Sequence, residues 1–274
     1  MGQVLEALQT PPHLRLAARI LGWPFAWLGL KGDPLLPPVT RALTALGPAY
    51  IKFGQIMSTR PDVVGDELAM QLRVLQDKLP PFPRHVALKA VEEELERPAE
   101  RMFSEFSEPI AAASIAQVHR ARLADTGEQV AVKVLRPGIE RAFRKDVDAF
   151  YFAAWVIETL SPASRRLRPQ DVIAHFEGVV MGELDLRLET SAAAEYAANT
   201  ARDEGFRVPG VHWFLSGKRV MTLDWAEGIP AGDLVAIDAA GHDRHALGER
   251  VLRLFLSHAL RDGYFHADMH QGNL

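Results

Sequence analysis

Three groups of residues in this chain have the types and spacing to do chemistry. The first is a lysine carried by a strand: in Val130-Ala131-Val132-Lys133-Val134 the three valines fall on one side of the pleat and Ala131 and Lys133 on the other. The β-branched residues fix the register, because a slip of one residue would bury the lysine. A lysine held this way is either a solvated strand residue or a cation for phosphate. The second group is acidic: Glu183, Asp185 and Glu189 lie in one predicted helical segment. Asp185 and Glu189 sit at i,i+4, a like-charge pair that costs energy without a cation nearby and so points to lysine partners. Glu183 lies about 200° round a regular helix from Asp185 and meets a different partner unless the segment bends at Gly178 or Gly182. The third group is His266-Ala267-Asp268-Met269-His270. Two imidazoles and a carboxylate could bind zinc for hydrolysis, but the alternation suits a strand whereas the context is a glycine-flanked loop.

The elements that must position these groups follow from the pattern. Pro48 sits at the first turn of a helix that Pro61 ends, since the residue before a proline avoids helical geometry. On that helix Lys52, Gln55, Ile56 and Thr59 share a face. Gly54 costs helix stability and signals close approach by another segment. Helices are predicted over 66–79, with Leu68, Leu72, Leu75 and Leu79 on one stripe, and over 84–96. From Met102 the period changes to strands. A strand, the small-residue loop around Ala111-Ala112-Ala113, a second strand, a turn at Asp125-Thr126-Gly127 and the Lys133 strand make the layout of a kinase-like nucleotide lid. An alanine-rich loop still lets backbone approach phosphates, but it disfavours positive φ and should be stiffer than a glycine loop.

Beyond the lid, a helix to about Leu160 carries Phe143, Val147, Phe150, Ala154 and Ile157 as a buried stripe. A basic connector and a long helical segment from Pro169 to about Thr200 follow. Val211–Leu215 and Arg219–Trp225 read as a hairpin. A helix over about 246–261 places Leu247, Val251, Leu254, Phe255 and His258 on one stripe. Near the start, residues 14–31 combine Trp23, Phe25 and Trp27 with flanking Arg15, Arg19 and Lys31, which suits a membrane interface as well as a packed helix.

Composition closes some routes. With 31 Lys and Arg against 35 Asp and Glu, the net charge of −4 argues against a nucleic-acid footprint. The absence of cysteine excludes disulfides, thiolate catalysis and cysteine-ligated zinc. No dinucleotide glycine fingerprint and no flavin or iron site is evident, which speaks against direct hydroxylation.

Taken in order, Lys52-x-Gly54-Gln55, the alanine-rich loop, Val-Ala-Val-Lys133, Glu183-x-Asp185 and His266-Ala267-Asp268 with Gly272-Asn273 resemble the UbiB family of atypical protein-kinase-like ATPases, over roughly residues 40–274. The resemblance implies an α+β, protein-kinase-like fold: an amphipathic segment and linker (1–38), a helical extension (39–101), a small β-sheet lobe (102–228) and the start of a helical lobe (229–274). It implies that Lys133 grips the nucleotide's phosphates with Glu189 as its partner. Glu183 and Asp185 face the lysine of the extra helix, on which Lys52 and Gln55 lie over the active site. Ala111, Ala112 and Ala113 match the alanine-rich loop, and the nucleotide site continues through Ser114, Ile115, Ala116, Gln117 and Val118. Asp268 matches the catalytic-loop aspartate, Asn273 a magnesium ligand, and backbone near Leu223–Glu227 the adenine-reading hinge. The implied cofactors are ATP or ADP and Mg2+. The implied partners are ubiquinone-biosynthesis proteins and a membrane lipid or polyprenylated quinone precursor, on the cytoplasmic side of a bacterial inner membrane. A non-catalytic nucleotide-sensing scaffold is the alternative. Met269 and Gln271 stand where many relatives have prolines. The pattern also implies a later magnesium ligand, further lobe helices and C-terminal membrane helices beyond Leu274. The chain thus reads as an N-terminal part, expected to turn over ATP weakly or not at all by itself.

Overall fold

A computed structural model describes residues 35–76, 81–160, 165, 166 and 168–267. Helices dominate: α1 (Pro38–Leu46), α2 (Pro48–Ser58), α3 (Pro61–Val64), α4 (Asp66–Arg73), α5 (Arg84–Leu95) and α6 (Ala99–Met102) precede the sheet. Strands β1 (Phe103–Ala112), β2 (Ala116–Leu123) and β3 (Gln129–Leu135) follow in immediate succession. Then come α7 (Ile139–Leu160), α8 (Pro169–Glu183), α9 (Leu186–Asn199), β4 (Val220–Asp224), α10 (Leu234–Ala239) and α11 (Arg244–Ser257). The four strands form one small antiparallel sheet in the order β1-β2-β3-β4, and the fold is the α+β, kinase-like one expected.

The chain divides into two compact units. The first comprises residues up to Val91, Ser107–His119 and Lys133–Asp185; the second Glu92–Phe106, Arg120–Val132 and everything from Leu186. In the first unit Ile51, Leu72 and Leu75 form a buried cluster, with Val39, Leu43, Met57 and Leu68 packed on it. Gly54 explains how α2 comes so close: a Cβ there would stand 2.9 Å from Leu43 Cδ1 and nearer still to Leu75 Cδ1. An aromatic seam joins α2 to α7 and α8. Phe53 stacks on Phe150 at 5.1 Å and meets Phe176 edge-on at 5.3 Å, while Tyr50 lies 4.7 Å from Phe150. Each such ring pair adds about 1 kcal/mol beyond its buried area.

Several expectations need correction. The predicted helix over 66–79 stops at Arg73 and tightens into a 3-10 turn over Val74–Gln76, while Leu79 lies outside the described residues. The segment from Pro169 to Thr200 is two helices, because the chain breaks at Leu184-Asp185 before α9 starts. The like-charge pair is thereby removed from a shared helix face: Asp185 stands in the break and Glu189 in the first turn of α9, where the helix dipole favours it. The hairpin before β4 reduces to a single bridge between Val211 and Leu223, with Trp213–Leu215 wound as a 3-10 turn. Ile157 is exposed rather than part of the α7 stripe, and α11 ends at Ser257 in a π turn over His258–Asp262. The interfacial reading of residues 14–31 falls outside the described residues.

Candidate active site

The Lys133 strand has the register its alternation dictates. Val130, Val132 and Val134 have no exposed surface, and Lys133 is half-buried on the opposite side of β3. The small-residue loop is narrower than its sequence suggests. Ala111 and Ala112 still belong to β1, so the turn is Ala113-Ser114-Ile115, and Ala116, Gln117 and Val118 already belong to β2. Ala113 closes the turn by donating its N–H to Ala116 O at 2.8 Å.

The turn is held from the end of β3. Arg136, three residues after Lys133, donates its backbone N–H to Ile115 O at 2.8 Å. Its guanidinium reaches Ala113 O from Nη2 at 3.3 Å and Nε at 3.4 Å, and lies 5.5 Å from the centre of the Phe82 ring. Phe82 is pinned in turn by Gln117, whose Oε1 accepts from Phe82 N at 2.9 Å and whose Nε2 donates to Phe82 O at 3.1 Å. The second Nε2 hydrogen points at His119 Nε2, 2.8 Å away, and His119 Nδ1 lies 2.8 Å from Ser107 O. An amide nitrogen can only donate, so His119 Nε2 accepts, Nδ1 carries the proton and the ring is neutral. Burial agrees, pushing the His119 pKa below its ordinary value.

On the helical extension, Lys52 Nζ meets Glu183 Oε2 at 2.6 Å, with the side chains 18 % and 36 % exposed. Phe53, one residue on, locks α2 against α7 and α8, so the aromatic seam aims the lysine at the last turn of α8. Gln55 Nε2 donates to Leu75 O at 2.8 Å, fastening α2 to the 3-10 turn after α4. Lys52 and Glu183 are therefore brought together as the resemblance implies, and Asp185 follows two residues later at the helix break. Glu189 is exposed in α9 of the second unit.

In the second unit, the segment expected to read adenine leaves β4 in a defined way. Trp225 N donates to Gln129 O at 3.1 Å, and the Arg120 guanidinium lies 4.6 Å over the Trp225 ring. Asp224 accepts from Gly210 N and His212 Nε2 at 3.0 Å each and from Arg207 at 3.1 Å. Burial acts to raise its pKa, but these three donors outweigh it and hold the carboxyl below its ordinary value. Gly210 permits this approach, because a Cβ there would lie 2.7 Å from Asp224 Oδ2.

The segment ahead of Asp268 is anchored by His258 together with Asp203, Tyr196 and Arg261, which the spacing did not single out. His258, 1 % exposed, opens the π turn. Its Nε2 meets Asp203 Oδ2 at 2.9 Å and its Nδ1 meets Tyr196 Oη at 2.8 Å. Arg261 grips Asp203 with two hydrogen bonds of 2.7 and 2.8 Å, and chiefly through Arg261 the Asp203 pKa is lowered to about 2. The stripe of α11 placed His258 on the inner face; nothing in the spacing named Asp203, 55 residues away, as its partner. Asp268, Asn273 and the histidine of the alternative metal site at 270 lie outside the described residues, and among the described residues no group of three His, Asp or Glu side chains could hold a metal ion.

Comparison with known proteins agrees with this architecture. Residues 74–274 match the ABC1 atypical kinase-like domain. The chain is 40 % identical over 99 % of its length to a protein named "Probable protein kinase UbiB" from Pseudomonas paraeruginosa, and 39 % identical over its full length to its namesake from Shewanella baltica. It spans about half the length of these relatives, 51 % and 50 % respectively. Among solved structures, Rv3197 from Mycobacterium tuberculosis, determined in complex with erythromycin, superimposes with a TM-score of 0.60 at 28 % identity, over 95 % of this chain and 62 % of that one. With the lysine strand, the alanine turn and the Lys52–Glu183 pair all present in a kinase-like sheet and helix framework, the chain belongs to the ABC1 atypical kinase-like family.

Proposed function

We propose that this chain forms the nucleotide-binding part of an atypical kinase-like ATPase that supports ubiquinone biosynthesis at a membrane. The observation that carries the reading is the register of β3, which spends three buried valines on holding Lys133 half-exposed at the strand's end, three residues before the arginine that fixes the alanine turn. Phosphoryl chemistry needs little covalent work from the protein; it needs charges held in place. In this reading Lys133 neutralises the α and β phosphates and Glu189 aims it. Ala113 offers backbone with little side-chain bulk above them. Asp268 would serve as the catalytic-loop aspartate and Asn273 would help hold magnesium. A magnesium ion held there would supply neutralisation of the charge that develops on the phosphates.

The Lys52–Glu183 pair belongs to the helix that replaces the open substrate face of an ordinary kinase, and it supports hydrolysis over transfer to a protein. Its occupants are then a lipid or a polyprenylated quinone precursor and other ubiquinone-biosynthesis proteins. No helix among the described residues is long and apolar enough to cross a membrane. Magnesium-dependent binding of ATP and ADP tests the reading, beside Lys133→Ala and with phosphate release followed in the same samples. The expected result is binding by the wild type that Lys133→Ala loses, with slow hydrolysis and no transfer to an added protein. Wild-type protein that binds neither nucleotide overturns it; binding without any hydrolysis reassigns the chain to a nucleotide-sensing scaffold.

A further inference from the structure

Two side chains in the first unit do something that a list of nucleotide contacts does not capture. Gln117 is 1 % exposed and both of its amide hydrogens are engaged. Its oxygen takes the Phe82 N–H, and its nitrogen serves Phe82 O and His119 Nε2. A side chain so committed has no hydrogen left for a nucleotide. Arg136 ties the same turn: its backbone N–H meets Ile115 O and its guanidinium Ala113 O, with the Phe82 ring beneath. Both residues converge on Phe82, in the described segment just ahead of α5. One connected path thus runs from His119 through Gln117 and Phe82 to Arg136, and ends on Ala113 and Ile115.

We propose that Gln117 and Arg136 are positioning residues for the nucleotide: through Phe82 they fix the Ala113-Ser114-Ile115 turn to the end of the lysine strand, and so set the height of its backbone above the phosphates relative to Lys133. The inference rests on the nucleotide-binding reading above. Its physical basis is that an alanine turn lacks the freedom of a glycine loop to adapt to phosphates. Its position must therefore be built in beforehand, and two carbonyls tied to one arginine build it in. The cation on the Phe82 face adds a contact that a lysine ammonium on a flexible stem does not reproduce with the same planar fork.

The test uses the full chain with Arg136→Lys and Arg136→Gln, and Mg-ATP as the probe. Binding affinity and backbone hydrogen exchange over 111–118 are measured on each, with thermal midpoints to verify folding. Both variants should bind Mg-ATP about tenfold more weakly, equivalent to about 1.4 kcal/mol, and the Ala113 and Ala116 amides should exchange faster even without nucleotide. Lys133→Ala should lose binding with the turn's exchange unchanged. The proposal is overturned if Arg136→Lys binds like wild type, or if affinity falls while exchange at the turn stays as before, since that marks Arg136 as a direct phosphate contact. Should wild type bind no nucleotide, the functional reading fails and this proposal with it. Should wild type bind and the Arg136 variants bind equally well, only this proposal fails. Gln117→Glu supplies a second route: a carboxylate keeps the Phe82 N–H but loses both donors, and should loosen the same amides.

Discussion

The two units hold their charges in opposite ways. In the first, Lys52 and Glu183 make one contact of 2.6 Å between partly solvated side chains. In the second, Asp203 is shared by a buried histidine and a two-pronged arginine, and the same histidine holds a tyrosine on its other nitrogen. A single half-wet pair gains little net energy and can part at small cost. A saturated network cannot lose one member without stranding the rest. The difference suits their places in the chain: α2 precedes the sheet, whereas His258–Asp262 leads into the sequence around Asp268.

That contrast can be broken first at its strongest point. His258→Ala leaves a cavity and deprives Tyr196 and Asp203 of their partner, so it should cost about 3 kcal/mol in urea unfolding. A loss below about 1 kcal/mol would mean that water replaces the imidazole and the network is no scaffold. Gly54→Ala comes next. The new methyl meets the far ends of Leu43 and Leu75, which can yield in part, and alanine's better helix propensity offsets some strain. A net loss of about 1 kcal/mol is expected by the same measurement, and a gain would show that α2 does not need its close approach. The Lys52–Glu183 pair should give the smaller coupling, about 0.5–1 kcal/mol by a double-mutant cycle with alanine. A coupling as large as the His258 loss would erase the distinction drawn between the two units.

The mildest probe is pH. His119 has a folded pKa below its ordinary 6.5, chiefly through burial and against the pull of Ser107 O and Glu108, with Arg84 reinforcing it. A base lowered in this way binds fewer protons folded than unfolded. Its contribution is complete above pH 6.5 and declines as the pH falls below that value. Asp203 moves from 3.8 to about 2, so its contribution is full above pH 3.8 and is lost only as the pH falls towards 2. Urea midpoints from pH 7.5 downward should therefore show a shallow decline that His119→Gln removes, then a steeper acid limb that Asp203→Asn removes. Midpoints flat from pH 7 to pH 5 would mean that His119 is not held neutral by burial.

Which features were legible beforehand follows from how local their physics is. Alternation fixed the face of Lys133, since one-residue slippage reverses every side chain of β3, and the valines are indeed fully buried. Gly54 announced a close approach, and the leucines that approach are there. The order of motifs carried the kinase-like family and with it the fold class. The break at Leu184-Asp185 escaped the reading because the glycines at 178 and 182 looked like the flexible points, whereas the helix ends two residues later and α9 is received by β4's approach, with Leu186 N bonded to Lys218 O at 2.8 Å.

By itself, then, the sequence determined the face of Lys133 and the close approach at Gly54, because each rests on spacing within a single element, and the order of its motifs determined the family. Tertiary structure alone decided which carboxylate meets Lys52, that Gln117 pairs with Phe82, and that His258 is held by Asp203. These are contacts over 131, 35 and 55 residues of chain. No periodicity encodes such pairings; they form when the aromatic seam and the buried valines fix where the elements stand, and the polar groups left inside must then find each other.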